Sequence, residues 1–135
     1  MMKRAIFAVT TACAAALAWA GAAEADSYSP GLWDTNFDLL SLHQSRDNGF
    51  VGLYYYKGLP AHLYGKPEAD GTYSGTWVQG TSEVRCGERQ FGSPYWGRFR
   101  FHFTGKRYAG LWNYCGRPLV DGADFRWTGT LNRPM

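Results

Sequence analysis

Metal-binding and nucleophilic side chains are scarce in this chain, which has three histidines and three cysteines in 135 residues and no Cys-x-x-Cys pair. His43, His62 and His102 are dispersed, and none neighbours Cys86 or Cys115. That spacing argues against a thiolate or imidazole metal centre. Gly-x-Ser-x-Gly, His-Glu-x-x-His, phosphate-loop and calcium-loop signatures are also missing. Asp34 with Asp38, or Asp121 with Asp124, could be read as carboxylate pairs for glycoside chemistry. They stand in turn-like segments, where Asp serves turn geometry on its own. No catalytic residue, metal or cofactor is expected, and the chain does not read as an enzyme.

Strong charge is lacking too. The net charge is +3, and removing Lys3, Arg4 and Glu24 with an N-terminal leader leaves +2. A balance so close to zero does not call for nucleic acid or an anionic membrane as partner. Long apolar runs are limited to one, Ala5 to Ala20, behind the basic pair Lys3-Arg4 and ahead of Ala23-Glu24-Ala25. Its length is short for a bilayer span, and small residues at its exit suit signal cleavage before Asp26. Cys13 inside the run has no Leu three positions upstream, so it matches a lipoprotein box poorly. The expectation is a signal peptide over residues 1–25 and one exported domain, periplasmic or extracellular, over 26–135. Its two cysteines, Cys86 and Cys115, then face an oxidising compartment and should pair.

Helical periodicity is absent after residue 26, and period-2 alternation between Gly, Pro and Asn-Gly turn signals takes its place. Eight short strands are expected near 31–36, 39–44, 50–56, 61–65, 72–78, 97–103, 108–114 and 125–131. The fold class is all-β, an eight-stranded antiparallel meander closing as a small up-and-down barrel. Spanning a membrane as a barrel would need an apolar outer band, which Arg98, Arg100, His102 and Arg126 would break.

One hairpin can be registered in full. A two-residue loop at Gly105-Lys106 sets Thr104 against Arg107, then Phe103 against Tyr108, Phe101 against Gly110, Phe99 against Trp112 and Gly97 against Tyr114. All of these after the first share one face, and a slip of one residue would exchange the faces. The other face carries Arg98, Arg100 and His102, which read better as a solvated wall than as an acidic-ligand site. Glycine recurs two residues before a large aromatic at Gly31/Trp33, Gly52/Tyr54, Gly75/Trp77 and Gly110/Trp112, and Trp127/Gly129 reverses the order. Alternation of tiny and bulky inward residues suits a tapered barrel, and core packing is the ordinary role of most of these rings.

In a meander the connections near 57–60, 79–96 and 115–124, two of them long, gather at one end, and both cysteines lie there. Long loops on one rim of a scaffold are where binding residues concentrate. Candidate binding residues are Tyr54, Trp77 and Trp112 at the barrel mouth, with Arg85, Arg89, Tyr95 and Trp96 on the long loop.

The series Gly31-Leu-Trp33, Phe37, Leu40-Ser-Leu42-His-Gln44, Gly52-Leu-Tyr54 and Gly75-Thr-Trp77 resembles a group of small exported bacterial β-domains. Gly97-Arg-Phe99, Gly110-Leu-Trp112 and Trp127-Thr-Gly129 extend the likeness over nearly the whole domain. The resemblance implies a fold and an exported location, and no particular activity. More remotely, Gly31-x-Trp33 and Gly52-x-Tyr54 are similar to the avidins, eight-stranded barrels that hold biotin, with Tyr54 at a biotin-contacting tyrosine. Thr35 and Asp38 or Leu39 depart from that family's polar contacts, so the likeness implies a shape, and biotin is not the expected ligand. The function expected is a binding module for a small molecule or glycan at the long-loop rim. The alternative is a protein-interaction or inhibitor domain acting through the 79–96 loop, whose Arg and aromatic content suits an interface.

Overall fold

The computed structural model describes residues 27–135, and the expected leader lies outside the described residues. Eight strands follow in chain order: β1 (Gly31–Thr35), β2 (Asp38–Gln44), β3 (Phe50–Tyr56), β4 (Leu59–Pro67), β5 (Tyr73–Gln79), β6 (Tyr95–Thr104), β7 (Arg107–Tyr114) and β8 (Arg126–Pro134). Each pairs antiparallel with the next, and β8 returns to β1, so the sheet closes into an up-and-down barrel. Closure leaves no open sheet edge. A register shift between Leu32 and Trp33 marks the seam where β1 meets β8. Asn36 extends that seam beyond β1. Its side-chain amide donates to the Arg126 carbonyl at 2.8 Å and accepts from Thr128 N–H at 2.9 Å.

The β6–β7 hairpin has the register expected from its turn, with Phe103 opposite Tyr108, Phe101 opposite Gly110, Phe99 opposite Trp112 and Gly97 opposite Tyr114. Phe99, Phe101, Phe103 and Tyr108 are buried, while Arg98 and Arg100 are exposed on the outer wall. Asn113 faces outward yet is buried, because the chain after β7 covers it and its amide donates to the Pro118 carbonyl at 2.9 Å.

The interior is aromatic and unevenly filled. At one end Tyr28, ahead of β1, plugs the barrel against Phe50 and Tyr73, with ring centroids 5.1 and 5.3 Å away, and its hydroxyl donates to the Gly49 carbonyl. Trp33, Leu40, Leu42, Leu63, Phe99 and Phe101 fill the middle. At the other end the connections 36–37, 57–58, 80–94 and 115–125 surround an opening.

Outside the wall lies a second small core. Val78, Cys86 and Trp96 are buried together, with Tyr64 and Cys115 packed against them. Cys86 and Cys115 are disulfide-bonded, with their Cα atoms 5.6 Å apart. Cross-linking residues 29 apart in sequence stabilises by about 3–4 kcal/mol on the chain-entropy account. The long loop folds back along the outer wall here, and Phe91 at its tip stacks on Tyr64 at 4.5 Å.

Rings rest on glycines that face them across the sheet. A Cβ at Gly110 would lie 2.4 Å from the Phe101 ring, and one at Gly129 would lie 2.3 Å from the Tyr108 ring. Gly75 is tighter still, since a Cβ there would meet the Tyr64 backbone carbonyl at 1.7 Å. Backbone cannot yield as a side chain can, so Gly75→Ala should cost about 3 kcal/mol or more. Gly87→Ala, with nothing within 4 Å, should change stability by less than about 0.5 kcal/mol. Urea denaturation midpoints of the two variants check this pair.

Candidate functional site

The open end of the barrel holds a cavity of about 310 Å³. Period-2 alternation brings its walls there. Tyr54 and Tyr56 come from β3, Trp77 and Gln79 from β5, Trp112 and Tyr114 from β7, and Trp127 from β8. The β1–β2 connection adds Asn36 and Phe37, with Asp38, Lys57 and Ser82 nearer the mouth. Trp77, Trp112 and Tyr114 meet edge to face, with centroids 5.0 to 6.0 Å apart and ring planes 75–84° from one another. Such pairs add about 0.5–1.5 kcal/mol each beyond area burial, so the wall is stiff.

A short polar chain is set into this wall. The Thr81 carbonyl can only accept, so the Gln79 amide nitrogen faces it at 2.9 Å. Gln79 Oε1 therefore faces Tyr54, whose hydroxyl donates to it at 2.7 Å. Trp77 Nε1 donates to the Asn113 carbonyl at 3.1 Å. The indole N–H groups of Trp112 and Trp127 are buried and have no hydrogen-bond partner. Phe37 packs edge-on to both of these indoles, at 5.9 and 5.4 Å. Its turn is fixed by Thr35, whose hydroxyl accepts from Phe37 N–H at 2.9 Å and donates to the Asp38 carbonyl at 2.6 Å. At the mouth Lys57 lies over the Tyr56 ring at 5.6 Å, and Arg117 over the Tyr114 ring at 5.8 Å.

Of the candidate residues from sequence, Tyr54, Trp77 and Trp112 line this cavity together. Arg85, Arg89, Tyr95 and Trp96 do not line it. These four stand apart from the cavity, because the long loop lies back on the outer wall. Trp96 is 3% exposed in the outer core, and its indole N–H donates to the Glu88 carbonyl at 2.8 Å. Arg85 sits over the Tyr95 ring at 5.8 Å, and Arg89 is exposed, donating to the Gly92 carbonyl. Sequence reasoning missed Phe37, Gln79 and Trp127 as wall residues. The alternation of β5 and β8 could have supplied Gln79 and Trp127, two residues beyond Trp77 and two before Gly129. Phe37 lies in a turn, and no periodicity marks it. No family model, no curated protein and no solved structure matches this chain.

Burial pushes the Tyr54 hydroxyl well above the ordinary tyrosine range, and the neighbouring Tyr56 adds to the shift. Tyr108 is raised in the same way, by burial first and by Tyr54 second. Both stay protonated in the fold at pH values where an unfolded chain ionises them, near pH 10. Their contribution to stability is complete below about pH 10 and is lost as the pH climbs above it. An alkaline titration followed by absorbance and circular dichroism checks this. The tyrosinate signal of Tyr54 and Tyr108 should rise only together with the loss of β-sheet circular dichroism.

Placement of Trp96 yields a second expectation. Trp96→Ala should cost about 3–5 kcal/mol, as for any large buried aromatic, while Arg89→Ala should stay within about 0.5 kcal/mol. Thermal melts of the two variants test whether the long-loop segment is core or free surface.

Proposed function

We propose that this chain is an exported binding module that holds a small molecule in the cavity at the open end of its barrel. The observation that carries this reading is the difference between the two ends. Tyr28 plugs one end, whereas the other keeps about 310 Å³ free between aromatic walls. That volume is at the lower bound of ordinary ligand pockets, which are mostly apolar with a few fixed polar groups. The Tyr54–Gln79–Thr81 chain supplies such groups, and its hydrogen bonds fix them before any ligand arrives. The alternative role for the long loop has less support, since Trp96 is spent on the outer core and Arg85 on Tyr95.

The test is calorimetric titration with a panel of monosaccharides and flat heterocycles, repeated on Trp112→Ala and Arg89→Ala. A binder from this panel should lose tenfold or more in affinity on Trp112→Ala and be unaffected by Arg89→Ala. The opposite pattern would move the site to the long loop and overturn the cavity reading.

A further inference from the structure

Five tryptophans lie within the described residues, and their indole donors divide cleanly. Trp33 donates to the Ser29 carbonyl at 3.0 Å, Trp77 to Asn113 at 3.1 Å and Trp96 to Glu88 at 2.8 Å. Trp112 and Trp127 donate to nothing, and both line the cavity. An indole N–H can only donate, and leaving such a group buried and unpaired costs roughly 1–3 kcal/mol. Among the described residues Tyr108 has the remaining buried side-chain group without a partner, a hydroxyl, and it does not line the cavity. Neither indole nitrogen is exposed to solvent. Both side chains line one cavity from adjoining strands, and each carries an indole donor with no nitrogen or oxygen acceptor.

The element in the way is Phe37, which packs on both indoles. Thr35 holds the backbone of its turn, but the side chain is 37% exposed. The ring can therefore leave by a change of rotamer while the turn stays in place. The mouth also bears on ligand charge. Lys57 and Arg117 already lie over Tyr56 and Tyr114, and Asp38 also lines the mouth, so neither sign of charge is favoured there.

Resting on the cavity reading above, we infer that the ligand is a flat, uncharged ring system carrying a hydrogen-bond acceptor, a carbonyl or ring nitrogen. It displaces the Phe37 ring and accepts from the indole N–H groups of Trp112 and Trp127, from both at a carbonyl oxygen and from one of them at a ring nitrogen. A glycan fits less well, because each sugar hydroxyl brings a donor of its own into a wall made largely of rings.

Naphthalene and quinoline separate the acceptor from the shape, since they differ only by one ring nitrogen and quinoline is the less hydrophobic. Both would be titrated at neutral pH alongside methyl β-glucopyranoside, with indole N–H resonances followed by NMR. Quinoline should bind about tenfold more tightly than naphthalene. The signal of one of the two indoles, Trp112 or Trp127, should move downfield while that of Trp77, already bonded, holds still. Phe37→Ala should speed hydrogen exchange at the same two indoles and leave Trp33 and Trp77 protected. Naphthalene binding as tightly as quinoline, with both indole signals unmoved, would leave the cavity reading standing and overturn the acceptor inference. Preference for the glucoside would overturn the ligand class. Failure of all three to bind would overturn both readings.

Discussion

A ring lying flat on a glycine across the sheet is the contact on which this barrel depends. Phe50 faces Gly65, Trp77 faces Gly97, Phe101 faces Gly110 and Tyr108 faces Gly129, each as a directly opposed pair. In every case a Cβ on the glycine would come within 2.6 Å of the ring. An eight-stranded barrel is only just wide enough for side chains to fill. Large aromatics therefore fit inside only if the opposite wall gives way, and glycine is how it gives way. Slipping any of these pairs by one residue would put a Cβ under a ring and turn the aromatic face outward. The same contacts thus set register, closure and the absence of a free edge.

These pairings explain why so much of the fold was legible. Alternation of glycine and aromatics, read with the Gly105-Lys106 turn, yields the β6–β7 register directly, and the meander carries Cys86 and Cys115 to one end. The mouth residues Tyr54, Trp77 and Trp112 follow from the same period. What sequence could not convey is the path of the long loop. An Arg- and aromatic-rich segment reads as an interface, yet its Trp96 satisfies its indole within the loop and buries itself against Val78 and the disulfide. Periodicity locates side chains on a sheet and says nothing of how a loop returns to it. Phe37, noted only as a motif residue, was not placed on the cavity wall for a related reason, because its position depends on Thr35 and on the β1–β8 seam, which joins residues far apart in the chain.

Filling the barrel from one end has a consequence at the other. Wall residues continue to the rim at Tyr56, Gln79 and Tyr114, but no segment crosses the axis there as Tyr28 does at the closed end. The wall is also braced from behind. Asn36 clamps β1 to β8, and Asn113 ties β7 to the segment after it. The disulfide and Trp96 fasten the long loop to the outside of β5 and β6. Of these braces, Asn36 lines the cavity, and Asn113, Trp96 and the disulfide do not.

Rigidity of this kind bears on how tightly so small a space could hold anything. Association costs several kcal/mol in lost freedom, and further ordering of side chains adds to it. Here the rings are already fixed by edge-to-face contacts, and the Tyr54–Gln79 pair is already oriented. Only Phe37 has to move. Two unpaired indole donors raise the free energy of the empty barrel by an amount comparable to that residual cost. An occupant that pairs them recovers that energy in addition to its own burial. On the proposed reading, binding strength derives from the unpaired Trp112 and Trp127 donors as well as from contact area.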